Sequence, residues 1–108
     1  MILAEEFDKV SYITIDKDKF EQPQSKYQHQ QITITGYVAD YGRGEKVSID
    51  IISPSKSQEE IVTYASKKGN LYTVIRFDAD SQIGIHTISL KYHNVEIATT
   101  SFEILENQ

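Results

Sequence analysis

Three groups of side chains in this 108-residue sequence have the types that chemistry uses. The first is Asp78-Ala79-Asp80-Ser81-Gln82, which sets oxygen donors at alternate positions as calcium loops do. No EF-hand glycine or closing bidentate glutamate follows, so the competing reading is a turn rich in aspartate, with Asp78 and Asp80 as the candidate calcium ligands. The second group is His29, His86 and His93. Metal ligands on one element stand at i, i+2 on a strand or i, i+4 on a helix, and no pair of these histidines has that spacing. The third is a set of seven tyrosines. Aromatic faces stack on sugars and phenols bond to hydroxyls, which makes Tyr37, Tyr41 and Tyr72 the candidate sugar-binding residues. Tyrosine is equally an ordinary cross-strand residue.

Catalysis has little to build on. Nucleophilic hydrolysis needs a serine or cysteine poised by a base, and no nucleophile-elbow motif occurs. Glu59 and Glu60 are adjacent and point apart on a strand. Gly42-x-Gly44 has neither the third glycine nor the following helix of a phosphate cradle. The sequence therefore predicts a chain that is not an enzyme and carries no cofactor, calcium aside.

These side chains must be held by strands. Alternating apolar and polar runs, closed by Gly, Pro, Asn or Asp, return roughly every 10 to 12 residues from Val10 to Ile104. Successive strand residues face opposite ways, so each run has one oily and one wet side. Ile32, Ile34 and Val38 share one face and Thr33, Thr35 and Tyr37 the other, with Gly36 in the core phase where a bulge or a large neighbour is expected. Val47, Ile49 and Ile51 repeat the pattern before Pro54 ends it. Ile61 to Ser66 is apolar on both faces, as an edge strand would be. Leu71 to Phe77 and His86 to Tyr92 alternate again, His93-Asn94 reads as a tight turn, and the apolar phase slips by one residue near Ala98, which predicts a bulge or a change of sheet. Lys17 to Gln31 reads as a polar loop.

No window shows helical periodicity, so parallel crossovers are not expected and neighbours should pair antiparallel. The fold class predicted is all-β: an antiparallel Greek-key, immunoglobulin-like sandwich of about seven strands. An arm over residues 1–9, the sandwich over 10–105 and a tail over 106–108 make up the predicted domain plan.

Composition narrows the partners. A net charge of −5 with scattered lysines argues against nucleic acid or an anionic membrane. No segment approaches the roughly 18 apolar residues that span a bilayer. Cysteine and tryptophan are absent, so the core is ordinary Ile, Val, Leu, Phe and Tyr packing. Met1-Ile2-Leu3-Ala4 is too short for a signal-peptide core, and a processed chain or a piece of a longer one is expected.

Gly36-x-Val38, Val47-x-Ile49-x-Ile51 ending at Pro54, Gly69-Asn70-Leu71, Gly84-Ile85-His86-x-Ile88, Tyr92 and Phe102-Glu103-Ile104 form an ordered series. It resembles the immunoglobulin-like and macroglobulin-like modules of prokaryotic cell-surface proteins, closest to those of ammonia-oxidising archaea, over Ile13 to Ile104. The resemblance implies an extracellular or cell-surface, non-catalytic spacer, adhesion or assembly module, with other protein domains or subunits as partners and a small-molecule ligand not expected. It also implies that His86 stands where such modules carry a tyrosine whose tip bonds a corner. The alternatives are a subunit of a surface filament or envelope complex joined by strand addition, and a carbohydrate-binding module.

Overall fold

The computed structural model describes residues 10–23, 28–77 and 81–106. Asp78, Asp80, the arm over 1–9 and most of the tail lie outside the described residues. The strands are β1 (Tyr12–Ile15), β2 (Lys19–Glu21), β3 (Gln30–Tyr37), β4 (Lys46–Ile52), β5 (Gln58–Tyr64), β6 (Asn70–Phe77), β7 (Gly84–Tyr92) and β8 (Val95–Leu105), and no helix occurs among the described residues. They form a three-stranded sheet, β1-β3-β6, and a five-stranded sheet, β2-β8-β7-β4-β5. The protein is all-β.

One core serves both sheets. Ile13, Ile32, Ile34, Leu71 and Phe77 of the smaller sheet cluster with Val47, Ile49, Ile88, Leu90, Phe102 and Ile104 of the larger. These are the in-phase positions of the alternating runs, and burial of their branched side chains is the main stabilising contribution. Gly36 sits in that phase because β1 passes close above it. A Cβ there would stand 2.9 Å from the Tyr12 carbonyl oxygen and 3.4 Å from Leu71 Cδ1, so close strand approach is the reason for glycine, and the ladder runs through it without a bulge.

The loop expected over Lys17 to Gln31 contains β2. After β1 the chain leaves the small sheet and lays β2 beside β8, where Phe20 is buried and meets Phe77 and Phe102 edge-on at 5.3 and 6.1 Å. This pair is parallel, which corrects the expectation that all neighbours are antiparallel. A crossover helix is unnecessary, since the rest of the domain is the connection between the two strands. The other pairs are antiparallel. β5 starts earlier than expected, at Gln58, and stands at the edge of its sheet.

The phase slip near Ala98 is a bulge. Leu90 pairs Ala98 and Lys91 pairs Glu96, which leaves Ile97 as the extra residue. His93 and Asn94 close the β7–β8 hairpin with φ of 55° and 63°. Two left-handed residues in a two-residue loop are the type I′ pattern, whose twist matches that of the strands.

Candidate functional site

The β5–β6 connection carries the chain from one sheet to the other and leaves both strands as edges on the same side of the molecule. Which backbone groups are free follows from ladder parity, because hydrogen-bonded pairs alternate along an antiparallel ladder. The Val38 N–H donates to the Gly69 carbonyl at 2.8 Å. With the register of Ile34 on Thr73 and Gly36 on Leu71, the polar groups of Leu71, Thr73, Ile75 and Phe77 turn toward β3. Those of Tyr72, Val74 and Arg76 therefore face the open side, while those of Asn70 are taken up by Ser66, whose N–H donates to the Asn70 carbonyl at 2.9 Å and whose Oγ accepts from the Asn70 N–H at 3.1 Å. The same reasoning from the Ser53 N–H donating to the Ser57 carbonyl at 2.9 Å leaves Gln58, Glu60, Val62 and Tyr64 free on β5.

Between these edges runs a groove of about 420 Å³. Ile51, Ile61, Ile75 and Phe77 give it an apolar floor, His86 lies at its side, and Glu59 and Arg76 stand on opposite lips. His86 is buried, its ring stacks on Phe102 at 4.9 Å, and its Nε2–H donates to the Gln82 carbonyl at 2.9 Å. An imidazole held this way is a wall, since its ring face and one polar tip are both occupied.

The candidate sugar residues separate into two places. Tyr37 and Tyr72 lie on the outer face of the three-stranded sheet, where Tyr37 pairs with Tyr12 and Tyr72 with Thr35. Tyr12 and Tyr37 stack at 6.1 Å, Tyr12 is 49% exposed and Tyr72 is 70% exposed. Tyr41 is elsewhere, in the loop between β3 and β4. Its hydroxyl donates to the Glu45 carbonyl and accepts from the Ala65 N–H at 3.2 Å.

That loop is tied to the β7–β8 turn through Glu45. The Tyr92 hydroxyl donates to Glu45 Oε1 and accepts from the Gly42 N–H at 2.7 Å. His93 Nε2 stands 3.0 Å from Glu45 Oε2. The bond from Tyr92, then that from His93, holds the Glu45 carboxyl below its ordinary range, and the same carboxylate pushes the Tyr92 phenol up. This corner is exposed and narrow, and its shifted groups bond to one another.

The outer face of the larger sheet is charged. Lys91 Nζ pairs with Asp50 Oδ2 at 2.8 Å, which raises the Lys91 pKa, and the Ser89 hydroxyl donates to Glu96 Oε1 at 2.8 Å. Among the described residues no three His, Asp or Glu side chains are placed to hold a metal ion, and no helix is long and apolar enough to cross a membrane.

The groove residues were visible in the sequence only as core positions. The change of sheet after Tyr64 leaves Ile51, Ile61 and Ile75 partly uncovered beside the buried Phe77, and that change is non-local. The Glu45 corner had one local sign, the turn at His93-Asn94 that points a histidine back over the sheet end.

Comparison with known proteins adds little to this geometry. No family model matches the chain, and no curated protein matches it. Among solved structures it is similar to the Pseudomonas fluorescens alkylpurine DNA glycosylase AlkC bound to DNA containing an abasic site analogue, with a TM-score of 0.47 and 8% identity. That likeness covers 88% of this chain and 30% of the glycosylase chain, so the chain spans under a third of the length of that protein.

Proposed function

We propose that this chain is a non-catalytic, immunoglobulin-like interaction module of a cell-surface or secreted protein, and that it joins another protein by strand addition at β6. The observation that carries the reading is the eight-residue β6 edge lying beside a groove with an apolar floor. An unpaired edge is a row of donors and acceptors ready for another strand. Other edges are blunted: β1 has four residues, β2 three, and β5 carries Glu59 and Glu60. β6 has no proline, no bulge and a single charge, Arg76. A strand added there would bond to Tyr72, Val74 and Arg76 through the backbone and turn alternate side chains onto Ile51, Ile61, Ile75 and Phe77. Each backbone bond would contribute about 0.5–1.5 kcal/mol net, with apolar burial adding to it.

The order β1-β3-β6 and β2-β8-β7-β4-β5 supports a Greek-key, immunoglobulin-like assignment, in which β3 pairs with β6 and β4 with β7 across sequence-distant connections. The surface or secreted setting rests on the resemblance of the ordered glycine and core motifs, and a leader or anchor encoded beside this segment in its gene is the observation to seek. The same edge serves a spacer joined to its neighbour domain and a subunit of a filament or envelope complex.

Val74→Pro tests the proposal. The Val74 N–H points away from β3, so proline removes an edge donor and spares the ladder. Octapeptides selected from a random display library should slow amide exchange at Tyr72, Val74 and Arg76, and Val74→Pro should abolish their binding with the melting temperature little changed. Selected peptides that protect no β6 amide, or that bind Val74→Pro equally, would refute it.

A further inference from the structure

We infer that the outer face of the three-stranded sheet is a second binding site, a tyrosine platform for a neutral oligosaccharide. Tyr12 and Tyr37 are cross-strand partners, and Tyr72 stands one row along, opposite Thr35. All three rings lie on the solvent side of the sheet, and beside them the Thr14 and Thr35 hydroxyls bond to each other at 2.8 Å. The phenolic hydroxyls of Tyr12, Tyr37 and Tyr72 have no hydrogen-bond partner among the described residues. A pyranose presents what this surface lacks: an apolar C–H face for the rings and a rim of hydroxyls for the phenols and threonines.

Charge selects the ligand class. The chain carries 16 acidic and 11 basic residues, yet the rows Tyr12–Tyr37–Asn70 and Thr14–Thr35–Tyr72 contain none of them. The opposite face of the sandwich holds Lys46, Asp50, Glu60, Lys91 and Glu96. These two rows form an uncharged aromatic strip that matches an uncharged polar ligand, and the charges on the same face, Asp16 beside Thr33 and Arg76 two rows from Tyr72, stand outside it. Exposed aromatic area of this kind is also what a protein partner would use, so the experiment must separate the two.

The chain has no tryptophan, so its intrinsic fluorescence reports tyrosine directly. Titration with cellohexaose, laminarihexaose and chitohexaose, backed by an array of neutral glycans, should give saturable quenching with at least one of them. Tyr72→Ala and Tyr12→Ala should each weaken that binding by about tenfold, the value of losing one stacking ring. Tyr64→Ala, an exposed ring on the other sheet, should leave it unchanged, and so should Val74→Pro, which keeps this site distinct from strand addition. Absence of binding across the array, or full binding by Tyr72→Ala, overturns the inference. Self-association that depends on Tyr72 with no glycan bound also overturns it and makes the platform a protein interface.

Discussion

The outer face of the small sheet and the loop end of the sandwich are both built around tyrosines, and they use them in opposite ways. At the loop end, Tyr41 and Tyr92 lie 5.7 Å apart and each hydroxyl both donates and accepts, to Glu45, Ala65 and Gly42. On the outer face, Tyr12, Tyr37 and Tyr72 present rings and leave their hydroxyls to solvent. A phenol bound at both lone pair and proton fixes two loops together and has nothing left for a ligand. A phenol bound to nothing contributes little to stability and is available for recognition. Residue type is shared; the partners decide the role.

The strongest way to break this comparison is through the core that both regions share. Ile34 is fully buried beneath the tyrosine platform, and Ile34→Ala should cost about 2–5 kcal/mol through lost burial and the cavity left behind. Chemical denaturation followed by far-ultraviolet and near-ultraviolet circular dichroism should give coincident transitions, because a domain of this size unfolds as one unit. Tyrosine signals that melt before the backbone would show the platform to be a separate, looser layer.

A smaller effect sharpens the contrast directly. Tyr92→Ala removes the hydroxyl that joins Glu45 to Gly42 and should lower the melting temperature by several degrees. Tyr72→Ala should leave stability within about 0.5 kcal/mol of the parent, as for surface positions without partners. Equal losses at the two sites would mean that the outer tyrosines stabilise the sheet by cross-strand packing and that their exposure carries no message about binding.

What could be read from residues alone follows the range of the forces involved. The alternation of Ile32, Ile34 and Val38 with Thr33, Thr35 and Tyr37 is a local period, and it placed Tyr37 outward correctly. His93-Asn94 and the slip near Ala98 are also local signals, of turn twist and of an extra residue, and both appear where expected. β2 escaped because three residues carry no period, and Phe20 is a lone apolar side chain in a polar stretch whose burial depends on Phe77 and Phe102. The parallel pairing with β8 joins opposite ends of the chain and has no local trace. Tyr41 is a sugar candidate by residue type alone; its hydroxyl is engaged by the nearby Glu45 carbonyl and by the Ala65 N–H, a partner that only folding brings to it. The calcium candidates Asp78 and Asp80 lie outside the described residues.

Acidification tests the loop end alone and is expected to have the smallest effect. The folded Glu45 carboxyl titrates below its ordinary 4.5, first because the Tyr92 hydroxyl donates to it and then because of His93. Between the lowered value and 4.5 the unfolded chain binds more protons than the folded one at this site, so stability from the corner is present above about pH 4.5 and fades as pH falls through the folded value. Glu45→Gln keeps the shape and removes the titration. The melting-temperature difference between parent and Glu45→Gln should be full above 4.5 and shrink as pH falls through the lowered folded value, with Tyr72→Ala showing no such trend. Exposure limits the size of the effect, and added salt should reduce its coulombic part. A difference that stays constant with pH would mean that the carboxylate charge does not hold this corner. Tyr92 would then be bound by shape alone, and the distinction between engaged and free tyrosines would rest on packing instead of hydrogen bonding.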